Sequence, residues 1–345
     1  MKVTRTASWM IILVVIIYTM IVAKSIILPF VIAMLIWFVV KKTRDLIDKI
    51  GFVKRYIPRW IKSGIATLLI FGLLILIGQM LTSNIEKIVG EYPTYQKNLE
   101  DISKQISSFL KTMNIDMEKE IETFLNDFDF TEYLTGLFNS ISDILGSSMM
   151  VLFYAIFIFA EESLFQTKSR LLFSEETKYQ RFETTTKKID KMLSDYISLK
   201  SLVSFMTAGG AYIVFWAVGL DSPFFWAAIV FIFNFIPSIG SIFGTVVPAF
   251  FALIQFGDWV NFSIILGVVG TVQVVVGNVV EPRLMGNTLN ISPLVTILAL
   301  TVWGAIWDIT GMLLSVPITV ALIIIMSQFQ STRSVAILLS EKGKV

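Results

Sequence analysis

Two apolar runs of this chain, residues 224–254 and 293–326, are too long to cross a bilayer once, and both are interrupted at corresponding places. As a straight helix the first would be about 46 Å long, against a hydrocarbon core of about 30 Å. Ser222-Pro223, Gly240 and Pro248 recur as Ser292-Pro293, Gly311 and Pro317, at offsets of 70, 71 and 69. The first break reads Asn234-Phe-Ile-Pro-Ser-Ile-Gly240; Pro237 removes a backbone donor, Ser238 follows it, and Gly240 permits a left-handed turn. The second reads Gly304-Ala-Ile-Trp-Asp-Ile-Thr-Gly311, with Asp308 aligned to Pro237. Each break leaves arms of roughly twelve to seventeen residues, a length suited to a re-entrant hairpin. The other reading is two long, tilted, kinked spans. Interrupted apolar segments in corresponding halves of a repeat are also a pointer to a transporter's binding site.

Of the 345 residues 55% are hydrophobic and 16% charged, a balance that no ordinary soluble domain of this length carries. The apolar segments show no ten-residue alternation of barrel strands, so they are helices that satisfy their own backbone in lipid. The expected class is an all-α polytopic membrane protein. The chain has no cysteine and no histidine, which excludes disulfides, thiolate or imidazole metal sites and Ser-His or Cys-His nucleophiles. An enzyme is not expected, nor is a cofactor. A net charge of +2 gives no basic field for nucleic acid.

About eight apolar segments are legible: 9–23, 25–40, 65–81, 149–160, 202–220, 224–254, 260–280 and 293–326. Lys2 and Arg5 precede the first, and no small-residue cleavage site follows it, so it reads as a retained span. Basic residues crowd 41–62 and 168–191, which predicts that both loops and both termini are cytoplasmic. The acidic stretch 84–147 then lies outside.

Within that stretch Leu99, Ile102, Ile106, Phe109 and Met113 mark an amphipathic helix, and Ile121, Phe124 and Leu125 a second. Two readings are open, a cap folded on itself and an arm packed against a neighbouring subunit. Residues 175–200 read as an amphipathic cytoplasmic helix whose lysines meet anionic headgroups. The expected organisation is N-terminal spans over 1–82 and an extracytoplasmic helical segment over 83–147. A fourth span with a cytoplasmic helix follows over 148–200, then a repeat unit over 201–330 and a tail over 331–345.

With hairpins, the first enters from outside and the second from inside, an inverted repeat. Broken helix ends then present free N–H and C=O groups to a polar solute or an ion. Asp308 is the one acidic residue inside either hairpin. Two roles are open to it, a proton or cation site and a helix cap in water. Gln273, Gly277 and Glu281 lie one turn apart with Asn278 on their flank, a face that suits either a pathway or close packing through Gly277. Asn234 suits either a ligand or the backbone freed by Pro237. Glu161 and Glu162, at the inner end of the fourth run, face water or form a gate. Arg283 follows Glu281 in an interfacial Glu-Pro-Arg, another possible gate. Gly209, Gly210 and Thr207 read as close-packing residues.

The segments from Asn234 to Gly240 with Pro248, Gly277-Asn-Val-Val-Glu-Pro282 with Gly286, and Ser292-Pro293 through Gly304, Gly311 and Pro317 resemble the signature of the AI-2E family of bacterial inner-membrane transporters. Leu28-Pro29 with Ala33 resembles that family's second span. Where the family has a glycine-rich turn in its last hairpin, this chain has Ile306-Trp307-Asp308.

The resemblance implies oligomeric assembly and either export of autoinducer-2 or antiport of sodium or lithium against protons. No Gly-rich phosphate loop ending in Lys-Ser/Thr is present, so energy must come from a gradient. The expected function is a secondary transporter that exports a small polar solute by alternating access, in a bacterial cytoplasmic membrane. A sodium or lithium antiporter and a non-transporting oligomeric scaffold or receptor are the alternatives.

Because the chain has no native cysteine, a single Asn287→Cys substitution tests the hairpin reading. It is expected to react with an impermeant thiol reagent from the cytoplasmic side in oriented vesicles. Labelling from outside would instead indicate kinked spans.

Overall fold

The computed structural model describes residues 2–48, 58–113, 123, 136, 148–173, 175–286 and 290–343. Nearly all of these are helical, and among them extended pairing is confined to an isolated antiparallel bridge between Ile291 and Ser340. The chain folds into two compact units. One comprises Met1–Gly72, Ser147–Leu199 and Met285–Val345, the other Leu73–Gly146 and Lys200–Leu284.

In chain order the helices are α1 (Lys2–Val22), α2 (Lys24–Ile47), α3 (Arg59–Gly90), α4 (Tyr92–Thr112), α5 (Ser148–Leu172) and α6 (Glu176–Val218). Then come α7 (Pro223–Phe233), α8 (Ile239–Phe256), α9 (Trp259–Val275), a π-helical turn (Val276–Val280), α10 (Glu281–Met285), α11 (Pro293–Ser327) and α12 (Arg333–Leu339). Among the described residues six stretches are long and apolar enough to cross a membrane: they lie in α2, α3, α6, α8, α9 with its continuation to Met285, and α11. The apolar stretch Met10–Val22 of α1, and α7, are shorter, and the apolar run 149–160 lies within α5.

The first long run is a helical hairpin within the second unit. Ser222 and Ser292 are the N-caps of α7 and α11, and the proline after each takes the first helical position, where a missing N–H costs nothing. α7 stops at Asn234, and short local bonds carry the turn, Ile236 N–H to Phe233 O (2.8 Å) and Gly240 N–H to Ile236 O (3.1 Å). The returning α8 lies antiparallel on α7. A Cβ on Gly240 would stand 1.7 Å from the Phe233 carbonyl oxygen, and one on Gly244 would stand 3.6 Å from the Val230 Cα. Further from the turn the rings of Trp226 and Phe251 are 4.7 Å apart. At the open end Gln255 accepts from the Asp221 N–H (2.7 Å) and donates to the Gly219 carbonyl (3.0 Å).

The second long run, α11, folds back in the same way within the first unit. Trp307 (φ −133°, ψ 22°) and Asp308 (φ 54°, ψ −143°) break it. A Cβ on Gly311 would stand 1.9 Å from the Trp303 carbonyl oxygen, and one on Gly304 2.9 Å from the Met312 Cε. The Trp303 indole N–H donates to Thr319 Oγ1 (3.2 Å), sixteen residues on. In a straight helix those residues would be about 24 Å apart. A straight kinked span is therefore not what either run forms: both are antiparallel helix pairs. Pro248 and Pro317 lie buried inside the returning arms.

In the second unit α3, α4, α6, α7, α8 and α9 share one core, with Ala208, Ala211, Ala249 and Ala252 as small residues among Phe215, Phe225, Trp226 and Phe251. Small residues let apolar helices approach closely where lipid provides no hydrophobic drive between them. Gly210 serves this role against Val272 (3.0 Å from a built Cβ), whereas Gly209 has nothing within 4 Å.

The amphipathic α4 lies on this core through Tyr95 and Leu99, and its Ile102 is buried as well. Its Asn98 amide donates to the carbonyls of Ile254 (3.1 Å) and Gln255 (2.7 Å), satisfying the end of α8. That half of the predicted seam is folded on its own chain, while Phe109 and Met113 are exposed. The second predicted amphipathic segment, with Ile121, Phe124 and Leu125, lies outside the described residues.

Gly240→Ala and Gly311→Ala are each expected to destabilise the protein by about 1–3 kcal/mol or more, since the added methyl meets backbone that cannot give way. Gly209→Ala and Gly277→Ala, which meet open space, are expected to be neutral or slightly stabilising. Melting temperature in detergent checks all four.

Candidate functional site

At the turn of the first hairpin the polar groups come from three helices of the second unit. Asn234, which ends α7, is buried, and its amide donates to the Ser204 hydroxyl on α6 (3.1 Å). The expected use of this side chain on backbone freed by Pro237 is thus replaced by a hydroxyl partner from another helix. Pro237 is half-buried, Ser238 is exposed, and Gly240 is buried beneath them. On α9, Gln273 is buried, its Nε2 without a hydrogen-bond partner among the described residues and lying 3.0 Å from where a Gly244 Cβ would be.

The π-helical turn follows directly. In an unbroken α-helix Gln273, Gly277 and Glu281 would line one face. Here the wider turn keeps Gln273 and Glu281 against protein and turns Gly277 and Asn278 outward. Among the described residues nothing lies within 4 Å of the Gly277 Cβ position, so none of these helices packs closely through it. Glu281 pairs with Lys200 of α6 (2.5 Å), whose side chain is only 7% exposed. Lys200 is thus engaged inside the protein and not at a headgroup. Arg283 is exposed on α10.

At the base of the same hairpin the Tyr95 hydroxyl donates to Asp221 (2.9 Å). Burial, and then this bond and the Asp221 charge, push the phenol far above its ordinary pKa.

The turn of α11 is built differently. Trp307 is buried, and its indole donates to the Met20 carbonyl near the end of α1 (2.9 Å). The Asp308 carboxylate pairs with Lys24, the first residue of α2, at 2.7 Å. Among the non-glycine residues with positive φ are Ser238 (60°) and Asp308 (54°), which lie 70 positions apart. By backbone conformation the counterpart of Asp308 is therefore Ser238 and not Pro237. With ψ at −143°, Asp308 stands in a region that glycine favours, at a cost of about 1–3 kcal/mol. At the point where the chain departs from the glycine-rich turn, an aspartate thus stands in a conformation that glycine favours.

Glu161 pairs with Lys168 on an exposed face of α5. Glu162 is largely enclosed, its side chain 22% exposed. Arg44 of α2, almost fully buried, grips it with both terminal nitrogens (3.0 and 3.4 Å), and the Trp37 indole donates to it (3.1 Å). Arg44 also donates to Ser63 (2.8 Å). Among the described residues no group of three or more His, Cys, Asp or Glu side chains is placed to hold a metal.

Among the partners missed from sequence are Ser204, Lys200, Lys24 and, at Glu162, Arg44 and Trp37. Lys24 carried a signal, as the lone charge between Arg5 and Lys41. Ser204 carried none.

The geometry thus offers two breaks in apolar helices. One presents amides and a hydroxyl, the other a single ion pair. The chain matches the model of the AI-2E family transporters over residues 10–331. It is 26% identical over 323 residues to the AI-2 transport protein TqsA of Escherichia coli, covering 93% of this chain and 91% of that one. A Haemophilus influenzae protein provisionally named a transport protein is 27% identical over 297 residues, 84% of each chain. A Borreliella burgdorferi protein with the same provisional name is 31% identical over 257 residues, 73% of this chain and 68% of that one. The chain is a multi-pass membrane protein that belongs to the AI-2E family of transporters.

Proposed function

We propose that the protein is a secondary transporter that exports a small polar, autoinducer-2-like solute by alternating access, driven by an ion gradient. The observation that carries this reading is the pair of hairpins. Each is closed by a glycine of the repeat against a carbonyl of the opposite arm, and each puts polar groups into otherwise apolar sequence. Broken helices of this kind, acting as re-entrant hairpins, are where transporters hold substrates and coupling ions. The name of the Escherichia coli relative supports the solute class.

In this reading Asn234, Ser204 and Gln273 meet the solute. Neutral amides and a hydroxyl suit a hydroxylated, uncharged molecule, because they can donate and accept without burying a charge. The unpartnered Gln273 Nε2 is a buried donor with a bond still to make. Asn278 and the π-turn lie along the solute's path, and Asp308 serves the coupling ion. A second reading, antiport of sodium or lithium against protons without a solute, is favoured by the lone carboxylate of Asp308.

Counterflow of labelled solute in proteoliposomes tests the proposal. Asn234→Ala and Gln273→Ala are each expected to lower the rate roughly tenfold, the equivalent of one hydrogen bond to the solute at about 1.4 kcal/mol. Unchanged rates in well-folded variants would count against the site. Cation exchange with no solute counterflow would establish the antiport reading instead.

A further inference from the structure

Between Arg5 and Lys41 the sequence carries one charge, Lys24, and between Arg283 and Arg333 it carries one, Asp308. The fold brings these two together, 284 residues apart, at a nitrogen–oxygen distance of 2.7 Å. We propose that Lys24 is a tethered stand-in for a monovalent alkali cation. In the state described, its ammonium neutralises Asp308; in another state a free cation takes its place, and the hairpin tip comes away from the α1–α2 junction. The proposal rests on the reading of Asp308 as serving the coupling ion and assigns Lys24 a role in it.

Charge balance gives the first argument. A charged carboxylate among apolar helices is too costly to leave alone, so Asp308 is neutralised in every state, by Lys24, by a free cation or by a proton. One ammonium balances one carboxylate, so the replacement carries a single positive charge. A calcium ion takes six to eight oxygens, commonly from several carboxylates, and no acidic cluster among the described residues offers them.

Access gives the second. The Lys24 and Asp308 side chains are 49% and 75% exposed from protein, so nothing in the unit encloses the pair. A lysine ammonium is a compact point charge on a flexible stem, able to swing aside. Asp308, in contrast, is positioned by its own backbone turn and by Gly311 behind it, so the carboxylate stays at the tip when Lys24 leaves. Once that bond is exchanged, the tip is still tied to the α1–α2 junction by the Trp307–Met20 hydrogen bond and by the apolar cluster that joins Trp303 and Trp307 to Met20, Ile27 and Leu28, so undocking also has to part these contacts. Cation binding and undocking are then reciprocal: whatever factor docking by Lys24 takes from cation affinity, the cation takes from docking.

The test uses the purified full chain in detergent and compares sodium or lithium chloride with choline chloride at equal ionic strength. Lys24→Gln removes the stand-in, and its apparent cation affinity is expected to rise about tenfold over the parent, read as a melting temperature that climbs at lower salt. Asp308→Asn and the double variant Lys24→Gln/Asp308→Asn are expected to respond no more than in choline. A Lys24→Gln protein no more sensitive than the parent, or an Asp308→Asn protein that keeps the sodium response, overturns the proposal.

Where Lys24→Gln does not fold, Ile309→Cys in a chain with Lys24 retained replaces it. Its labelling by a thiol reagent is expected to accelerate several-fold in sodium over choline, and equal rates overturn the proposal. Neither readout involves solute movement. Failed counterflow with a cation response intact therefore rejects the solute reading, and the converse rejects the role of Lys24.

Discussion

Both hairpins close on one contact, a glycine of the returning arm laid against a carbonyl of the arm before it. Gly240 meets Phe233 and Gly311 meets Trp303 at separations that leave no room for any side chain. Backbone-to-backbone approach of this kind is what allows an apolar helix to reverse within a few residues without stranding its polar groups. The rest follows from it. The antiparallel arms bring Trp226 onto Phe251 in one copy and Trp303 onto Thr319 in the other. The residue that takes up the left-handed turn, Ser238 or Asp308, is left at the tip.

The repeated architecture carries unlike chemistry. In the first copy the tip side chain Ser238 is exposed, and the polar work falls to Asn234 one turn earlier, on a serine of α6. In the second the tip residue itself is charged and reaches Lys24. A neutral donor–acceptor pair can exchange a partner for a hydroxylated solute at little electrostatic cost, whereas an ion pair exchanges only for another charge. In the proposed reading the two copies divide the needs of a coupled transporter, one suited to the solute and one to the ion.

Most of the helical layout was legible in the sequence because it rests on local rules. Run length located the breaks, the Ser-Pro pairs proved to be helix starts, and the two conserved-in-repeat glycines proved to be the closing contacts. What was not legible is partnership across the chain. Ser204 and Asn234 are 30 residues apart, Lys200 and Glu281 81, and Lys24 and Asp308 284, and no periodicity encodes such pairings. The π-helical turn was hidden as well. Val276-Gly-Asn-Val-Val280 has no local signal for a wider turn, yet that turn separates Gly277 from the face it would share with Gln273 and Glu281.

The ion pairs follow a rule that the apolar setting imposes. Arg44 with Glu162, Lys200 with Glu281 and Lys24 with Asp308 each join residues distant in sequence; Lys24 and Asp308 stand alone in apolar runs, whereas Asp48, one turn from Arg44, is itself taken by Lys62. Their surroundings set what each can do. Arg44 and Lys200 are held at 2% and 7% exposure, and releasing either would leave a buried charge uncompensated, so these pairs fasten helices. Lys24 and Asp308 are the most exposed of the three, joined by one contact, at a backbone position already strained toward glycine geometry. A fastening contact would be buried and relaxed. An accessible pair at a strained turn is placed to be exchanged, and on that ground the proposed ion cycle is assigned to the second hairpin.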